Sequence, residues 1–393
     1  MSLLRRRMLL SGGDKNPFAE PPEIIKSTFT ASAPQPFRTP VYLDDGYYYA
    51  PVYFSSGMQW GYCSTLNGTW TKVPNMSTHT YWAYNLVDGV KNMTFDGYGS
   101  STSAAIYSQG ASNGTRTSYL NWTLSTTTAN AVFYGNSVIY DNDKYIFLVY
   151  VRASSSINYA TYVVFCDSTG AFLYSRRIPA SGNYRLSYAV GNRVLVVGDY
   201  YYVLLYIQTT SSISSAAPAL FKIPRSNPQT GTWTEVAATP SGQNILQQQY
   251  ASWNYNKKSN NFSLIRYLTG TAANSNLVLT SSDGAAWNPI DVRAQVQART
   301  LNATVTGYWE KSIVGIFFSN AASSSPATLF VLSSSDNTEW ISTATTGDDL
   351  QGLTASYVLP ACVMREDKKS YYIRLGASSA SQSGTQYYLR WYK

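Results

Sequence analysis

A turn unit that returns about every fifty residues constrains this chain more than any other feature. Its clearest copy is Leu277–Ile290, which reads Leu-Val-Leu-Thr-Ser-Ser-Asp-Gly-Ala-Ala-Trp-Asn-Pro-Ile. A short apolar strand runs into Ser-Ser-Asp-Gly, and a second strand opens on Trp287. Asp and Ser side chains hydrogen-bond the backbone of a tight turn, and Gly supplies a positive φ. A Trp three residues after the Gly can fold back over the turn and bury a large apolar area. Ser334-Ser335-Asp336-Asn337 leading to Trp340 is a second copy, and Ser64 to Trp70, with Asn67-Gly68 in the turn, is a looser third.

A second series interleaves with the first. Polar hairpin apexes occur at Asp44-Asp45-Gly46, Asp96-Gly97, Asp141-Asn142-Asp143, Gly198-Asp199, Asn256-Lys257-Lys258, Glu310-Lys311 and Glu366-Asp367-Lys368, with steps between 45 and 58 residues. Aromatics after the second turn fall at Trp70, Trp122, Phe172, Trp233, Trp287 and Trp340, with steps between 50 and 61. Each period therefore reads as four strands, and self-similarity at this length is a propeller signature. The expected fold is all-β: a seven-bladed β-propeller of four-stranded antiparallel blades. The last period lacks a fourth strand, and Ile24–Thr30 has no partner of its own. That N-terminal strand is expected to complete the last blade, which would remove an open sheet edge. Residues 22–393 form the propeller in this reading. Residues 1–21, with Gly12-Gly13, Pro17 and Pro21, form an arm that is flexible or docks to a partner.

Composition narrows the function classes. Charged residues make up 13% of the chain, so there is little material for a catalytic cluster, and only 6 are Glu. The net charge of +8 is spread thinly outside the Arg5-Arg6-Arg7 run, unlike the clustered footprint of a nucleic-acid binder. Neither a signal-peptide core nor a stretch long enough for membrane insertion is present in the sequence. The cysteines, Cys63, Cys166 and Cys362, are odd in number and far apart, and they read as small buried hydrophobes. With His79 as the one histidine, a His-based zinc or iron site is excluded for a single chain. No cofactor is expected. Asp44-Asp45 or Asp141-Asn142-Asp143 could hold structural calcium, but Asp and Asn also favour tight turns, which is the preferred reading.

The segment Ser281–Trp287, with Ser281, Asp283, Gly284 and Trp287 in their places, resembles the Asp-box of sialidase-type propellers. Ser334, Asp336 and Trp340 match it again, and Asn67 and Trp70 match it loosely. The resemblance implies structural pins on the face opposite an active site. Sialidases also carry a Phe-Arg-Ile-Pro motif, approximated here by Arg176-Arg177-Ile178-Pro179 and Phe221-Lys222-Ile223-Pro224 but complete in neither, and they resemble six-bladed rings. The opening Met-Ser-Leu-Leu-Arg-Arg-Arg-Met-Leu-Leu resembles starts of virion proteins of tailed phages of gut bacteria.

These readings converge on a non-enzymatic virion component of the tail or fibre-attachment region. Its partners would be other virion proteins, its location the phage particle, and Arg5, Arg6 and Arg7 part of the docking arm. The alternative is a carbohydrate-binding adhesin of host-surface glycans. It would use loops between blades that carry Tyr81, Trp82, Tyr84, Tyr184, Arg185, Arg293 and Arg299. A divergent exo-glycosidase is the third reading; it would need two converging carboxylates or a Tyr–Glu pair with an arginine cluster.

Overall fold

The computed structural model describes residues 16–34, 39–42, 46–73, 84–87, 92–96, 103–109, 116–118, 122–123, 131–153, 159–169, 171–179, 183–185, 194–208, 217–238, 251–257, 259–266, 270–271, 278–290, 300–309, 312–319, 328–334, 340–345, 364–376 and 384–393. Apart from one 3-10 turn, Pro17–Ala19, the regular elements among them are β-strands. No helix there is long and apolar enough to cross a membrane.

The strands pair antiparallel into successive sheets, the blades of a β-propeller. In the third and fifth sheets chain order is also spatial order, as expected when each strand turns back on its neighbour. The third sheet shows the plan: Ala131–Asp141, Lys144–Ala153, Tyr159–Asp167 and Phe172–Arg177, side by side. Its first hairpin closes on Asn142 and Asp143, both with positive φ, the pattern of a two-residue primed turn. The fifth sheet is Ala251–Asn256, Asn261–Arg266, Val278–Ser281 and Asn288–Ile290. The seventh is Arg365–Glu366, Ser370–Gly376, Gly384–Tyr392 and the N-terminal strand Glu23–Phe29. That N-terminal strand runs antiparallel to Gly384–Tyr392 from Glu23 opposite Arg390 to Phe29 opposite Gly384.

The expectation of a seven-bladed β-propeller of four-stranded blades is corrected by this topology. Among the described residues three sheets have four strands and the other four have five. In the first sheet, Ala33–Pro34 and Val41–Tyr42 share one neighbour, Tyr48–Phe54. In the fourth, Asn183–Arg185 and Leu195–Val197 share Tyr200–Gln208, which leads to Ala217–Pro224 and Thr234–Ala238. In the second, Arg116–Ser118 and Trp122–Thr123 share Ser103–Gln109. The sixth sheet, Thr300–Trp309, Ser312–Ser319, Thr328–Ser334 and Ile341–Thr345, gains Gly270–Thr271 from the segment joining two strands of the fifth. A period read from turn chemistry marks hairpins; it does not reveal a broken edge strand or one lent by a neighbour. The apolar seams among the described residues join five of the sheets, third to fourth to fifth and seventh to first.

One apex is also corrected. Asp96 ends the second strand of its sheet, Asn92–Asp96, and does not separate the first strand from the second. The hairpin with Tyr84–Val87 closes between Val87 and Asn92, a span that contains Asp88-Gly89. Two Asp-Gly pairs eight residues apart have the same turn chemistry, and the sequence offers no means of choosing between them.

The core lies between sheets. Along Tyr200–Gln208, Tyr201 and Val203 face the third sheet's Ile146, Leu148, Val163 and Phe165. Tyr202 and Leu204 face the fifth sheet's Phe262 and Leu279. Successive side chains on a strand point to opposite faces, so burial of both faces demands the unbroken apolar run seen here. Between the seventh and first sheets, Phe29, Tyr372 and Tyr388 meet Tyr48, Ala50, Val52, Leu66 and Trp70. First strands of neighbouring sheets also touch, as Val41–Tyr42 does with Arg365–Glu366 and Ala251–Asn256 with Thr300–Trp309, so they converge on the axis.

Candidate functional site

The face carrying the hairpin apexes and the Trp turns is built from polar contacts. At Ser281–Trp287 the turn is built from side chains. Ser281 Oγ donates to Asp283 Oδ1 (3.0 Å) and accepts from Gly284 N–H (2.8 Å). Asp283 Oδ1 also accepts from the N–H groups of Ala285 (2.7 Å) and Ala286 (3.0 Å). Those backbone donors hold the Asp283 carboxyl below the usual range. The Trp287 indole N–H donates to Gly284 O at 3.0 Å, locking the ring over the turn. Gly284 sits at φ +80°, and a Cβ there would lie 2.4 Å from Leu220 Cδ2 of the fourth sheet. This turn is therefore a contact between sheets as well as a hairpin.

The other copies keep the position and vary the chemistry. In the third sheet Asp167 Oδ1 accepts from Thr169 N–H (2.8 Å), Thr169 Oγ1 (2.6 Å) and Ala171 N–H (2.9 Å). In the fourth, Asn227 accepts from Thr230 Oγ1 (2.9 Å) ahead of the buried Trp233. Asn67 is exposed, while Trp70 is buried in the seam with the seventh sheet. Ser334 and Trp340 are buried; Asp336 lies outside the described residues. Unlike Trp287, the indole N–H groups of Trp70, Trp233 and Trp340 find no acceptor among the described residues. Among the described residues the tied-back indole belongs to the copy with the full Ser-x-Asp-Gly set.

Two further pins cross seams on this face. Arg225 grips Asp141 of the third sheet with two bonds, Nε to Oδ2 at 2.7 Å and Nη2 to Oδ1 at 2.6 Å, and Tyr201 Oη donates to Oδ2 at 2.7 Å. Burial alone would raise the Asp141 pKa; the bonds from Arg225 and Tyr201 outweigh it and hold the carboxyl below the usual range. At the other seam Tyr48 Oη donates to Asp367 Oδ2 at 2.7 Å, with Arg390 Nη2 4.0 Å from that oxygen. Burial again opposes, and the bonds from Tyr48, Lys369 N–H and Ser370 keep the Asp367 pKa down. Arg176, which the sequence placed in an incomplete Arg-Ile-Pro motif, clasps the next sheet's turn. It donates to the carbonyls of Pro228 (2.7 Å), Gln229 (2.6 Å) and Gly231 (2.7 Å).

Among the candidate ligand-binding residues, Tyr84 opens the strand Tyr84–Val87, and Tyr184 and Arg185 lie in Asn183–Arg185. All three stand in first strands near the axis, not in loops between blades. Tyr81, Trp82, Arg293 and Arg299 lie outside the described residues, as do Arg5, Arg6 and Arg7 of the arm and Asp44 and Asp45. Asp141, offered as a calcium ligand, is committed to a guanidinium. No group of three potential metal ligands occurs among the described residues. Cys63 and Cys166 are buried free thiols, and burial, with a smaller contribution from Asp167, pushes Cys166 up to about 12. Cys362 lies outside the described residues.

The sequence reading missed both Asp–Tyr–Arg pins. Its available signal was a tyrosine run after the apex, as in Tyr47-Tyr48-Tyr49, Tyr200-Tyr201-Tyr202 and Tyr371-Tyr372.

No protein-family model matches the chain, and no curated protein matches it. Among solved structures it is similar to a neuraminidase-like protein of A/little yellow-shouldered bat/Guatemala, at 8% identity and TM-score 0.42, over 95% of this chain and 99% of the other. It is also similar to the β-propeller domain of the Trilobed protease from Pyrococcus furiosus, at 8% identity and TM-score 0.47, over 91% and 94%. An endo-arabinase from Bacteroides thetaiotaomicron aligns at 10% identity and TM-score 0.35, over 77% and 91%. The propeller assignment rests on the sheet order, the inter-sheet cores and the converging first strands.

Proposed function

We propose that this chain is a non-enzymatic interaction platform of a tailed-phage virion, in the tail or fibre-attachment region, docked to a neighbouring virion protein by its basic N-terminal arm. One observation carries the scaffold part of this reading: on the apex face, Asp141, Asp367 and Arg176 are committed to contacts between sheets. Asp141 is bound to Arg225 and Tyr201, Asp367 to Tyr48 and its own turn, Arg176 to three carbonyls. Asp141, Asp283 and Asp367 are held as carboxylates by their bonded partners, as structural pins are. The virion part is supported by the opening ten residues and by the Arg5–Arg7 arm, which leads into an ordered anchor at Asn16.

The test is deletion of residues 1–15. The truncated chain should fold and melt like the full one yet fail to enter phage particles; normal incorporation refutes arm docking. A second reading, glycan binding, is favoured by the position of Tyr84 and Tyr184 on axial strands. Specific signal on a glycan array, lost in Trp82→Ala, would select it over the first. Turnover of sialosides or aryl-glycosides by pure protein would select hydrolysis over both.

A further inference from the structure

The seam between the sixth and seventh sheets is filled by the chain's own Asn16-Pro17-Phe18-Ala19, and each of these residues is engaged. Phe18 is 0% exposed. Its ring packs against Tyr371 (centroids 5.5 Å apart) and edge-on to Trp391 (5.4 Å), both of the seventh sheet. Asn16 works in two directions: Oδ1 accepts from Phe18 N–H at 3.0 Å and caps the turn, while Nδ2 donates to the buried Ser333 Oγ of the sixth sheet at 2.9 Å. Thr343 Oγ1, also of the sixth sheet, donates toward Phe18 O (3.3 Å) and Ala19 O (3.1 Å). Pro17 stands at the start of the turn, where its fixed φ reduces the cost of ordering.

We infer that this seam is a peptide-binding site, selective for an Asn-Pro-Phe-Ala segment, which residues 16–19 occupy as a detachable clip joining the sixth and seventh sheets. A tail merely draped on the surface would not bury an aromatic ring completely while the facing sheet bonds both its side chain and its carbonyls. Glu20-Pro21-Pro22 then leads directly into the strand Glu23–Phe29. So short a link raises the effective concentration of the clip and favours occupation by the same chain. Anything that binds residues 1–15 would pull on this seam. The inference goes beyond the docking reading and stands whether or not the partner is a virion protein.

The test uses a chain lacking residues 1–20, which keeps Glu23–Phe29, and the full chain carrying Phe18→Ala. Both should melt below the parent. Both should bind a synthetic Asn-Pro-Phe-Ala-Glu-Pro peptide saturably, with Tm rising on addition, whereas the parent, already occupied, should not. The same peptide with Phe replaced by alanine should bind about tenfold more weakly or worse. If the truncated chain does not fold, Phe18→Ala alone decides. Parent-like melting of the variants, or no peptide binding by a folded variant, overturns the clip.

Discussion

The seam between the third and fourth sheets and the seam between the seventh and first use the same parts with different load paths. Each sets an apex aspartate against a tyrosine from the second strand of the next sheet, with an arginine beside them. At the first, Arg225 belongs to the receiving sheet and reaches across in a bidentate grip at 2.6–2.7 Å. At the second, Arg390 belongs to the donor sheet; it stands 4.0 Å from Asp367, 3.9 Å from Glu23 and 3.3 Å from Tyr48 Oη. Asp367 instead spends Oδ1 on its own turn, accepting from Lys369 N–H, Ser370 N–H and Ser370 Oγ. The seam where the N-terminal strand joins the C-terminal one relies more on stacking and burial. Tyr48 packs edge-on to Tyr372, and Arg374 and Gln386 both donate to Pro34 O. One seam concentrates its polar energy in a single ion pair; the other distributes it.

The sharpest contrast with both is the seam of the fourth and fifth sheets, where the contact is steric. Gly284→Ala must tolerate a left-handed φ and a Cβ 2.4 Å from Leu220 Cδ2. The combined cost is about 3 kcal/mol, and denaturant unfolding should show it as the largest effect of this set. Arg225→Ala comes next. It leaves Asp141, 13% exposed, with Tyr201 as its remaining cross-seam partner. Because the pair is partly solvated, the loss lies between the buried and surface limits, about 2 kcal/mol. Arg390→Ala should cost about half as much. Equal losses would erase the distinction between concentrated and distributed seams. Tyr201→Phe and Tyr48→Phe each remove one bond to a carboxylate and should cost about 1 kcal/mol. A double-mutant cycle should couple Tyr201 to Arg225 more strongly than Tyr48 to Arg390.

The legible part of this fold was the part written in turn chemistry. Asp141-Asn142-Asp143, Gly198-Asp199 and Glu366-Asp367-Lys368 lie between first and second strands because small polar residues tolerate those backbones locally. The Ser, Asp and Gly of Ser281–Trp287 were legible for the same reason; the bond from the half-buried Trp287 indole to Gly284 O and the approach of Gly284 to Leu220 were not. The pins were not, because Asp141 and Arg225 stand 84 residues apart and nothing near either names the other. Gly270–Thr271 joins the sixth sheet through backbone bonds alone, which leave no trace in side-chain pattern. Phe18 was assigned to an arm because prolines flank it; its burial is a property of the seam it enters. Tyr184 and Arg185 were read as loop residues because the strand that holds them is three residues long, too short for alternation to show.

The smallest effect expected is in the acid limb of stability, and it separates the two seams once more. Asp141 and Asp367 both have folded pKa values below their unfolded ones. A depressed carboxyl stabilises the fold fully above its unfolded pKa, about 4, and that contribution disappears as pH falls through the folded value. Asparagine keeps a neutral acceptor and cannot titrate. At Asp367 it preserves the bonds from Lys369 and Ser370 to the turn; at Asp141 it leaves Arg225 without a countercharge. Asp141→Asn should therefore lower Tm at pH 7 more than Asp367→Asn, and its deficit should shrink more between pH 5 and pH 3. A deficit that stays constant over that range would mean that Asp141 contributes shape and not charge, and that the bidentate grip adds nothing the tyrosine does not already supply.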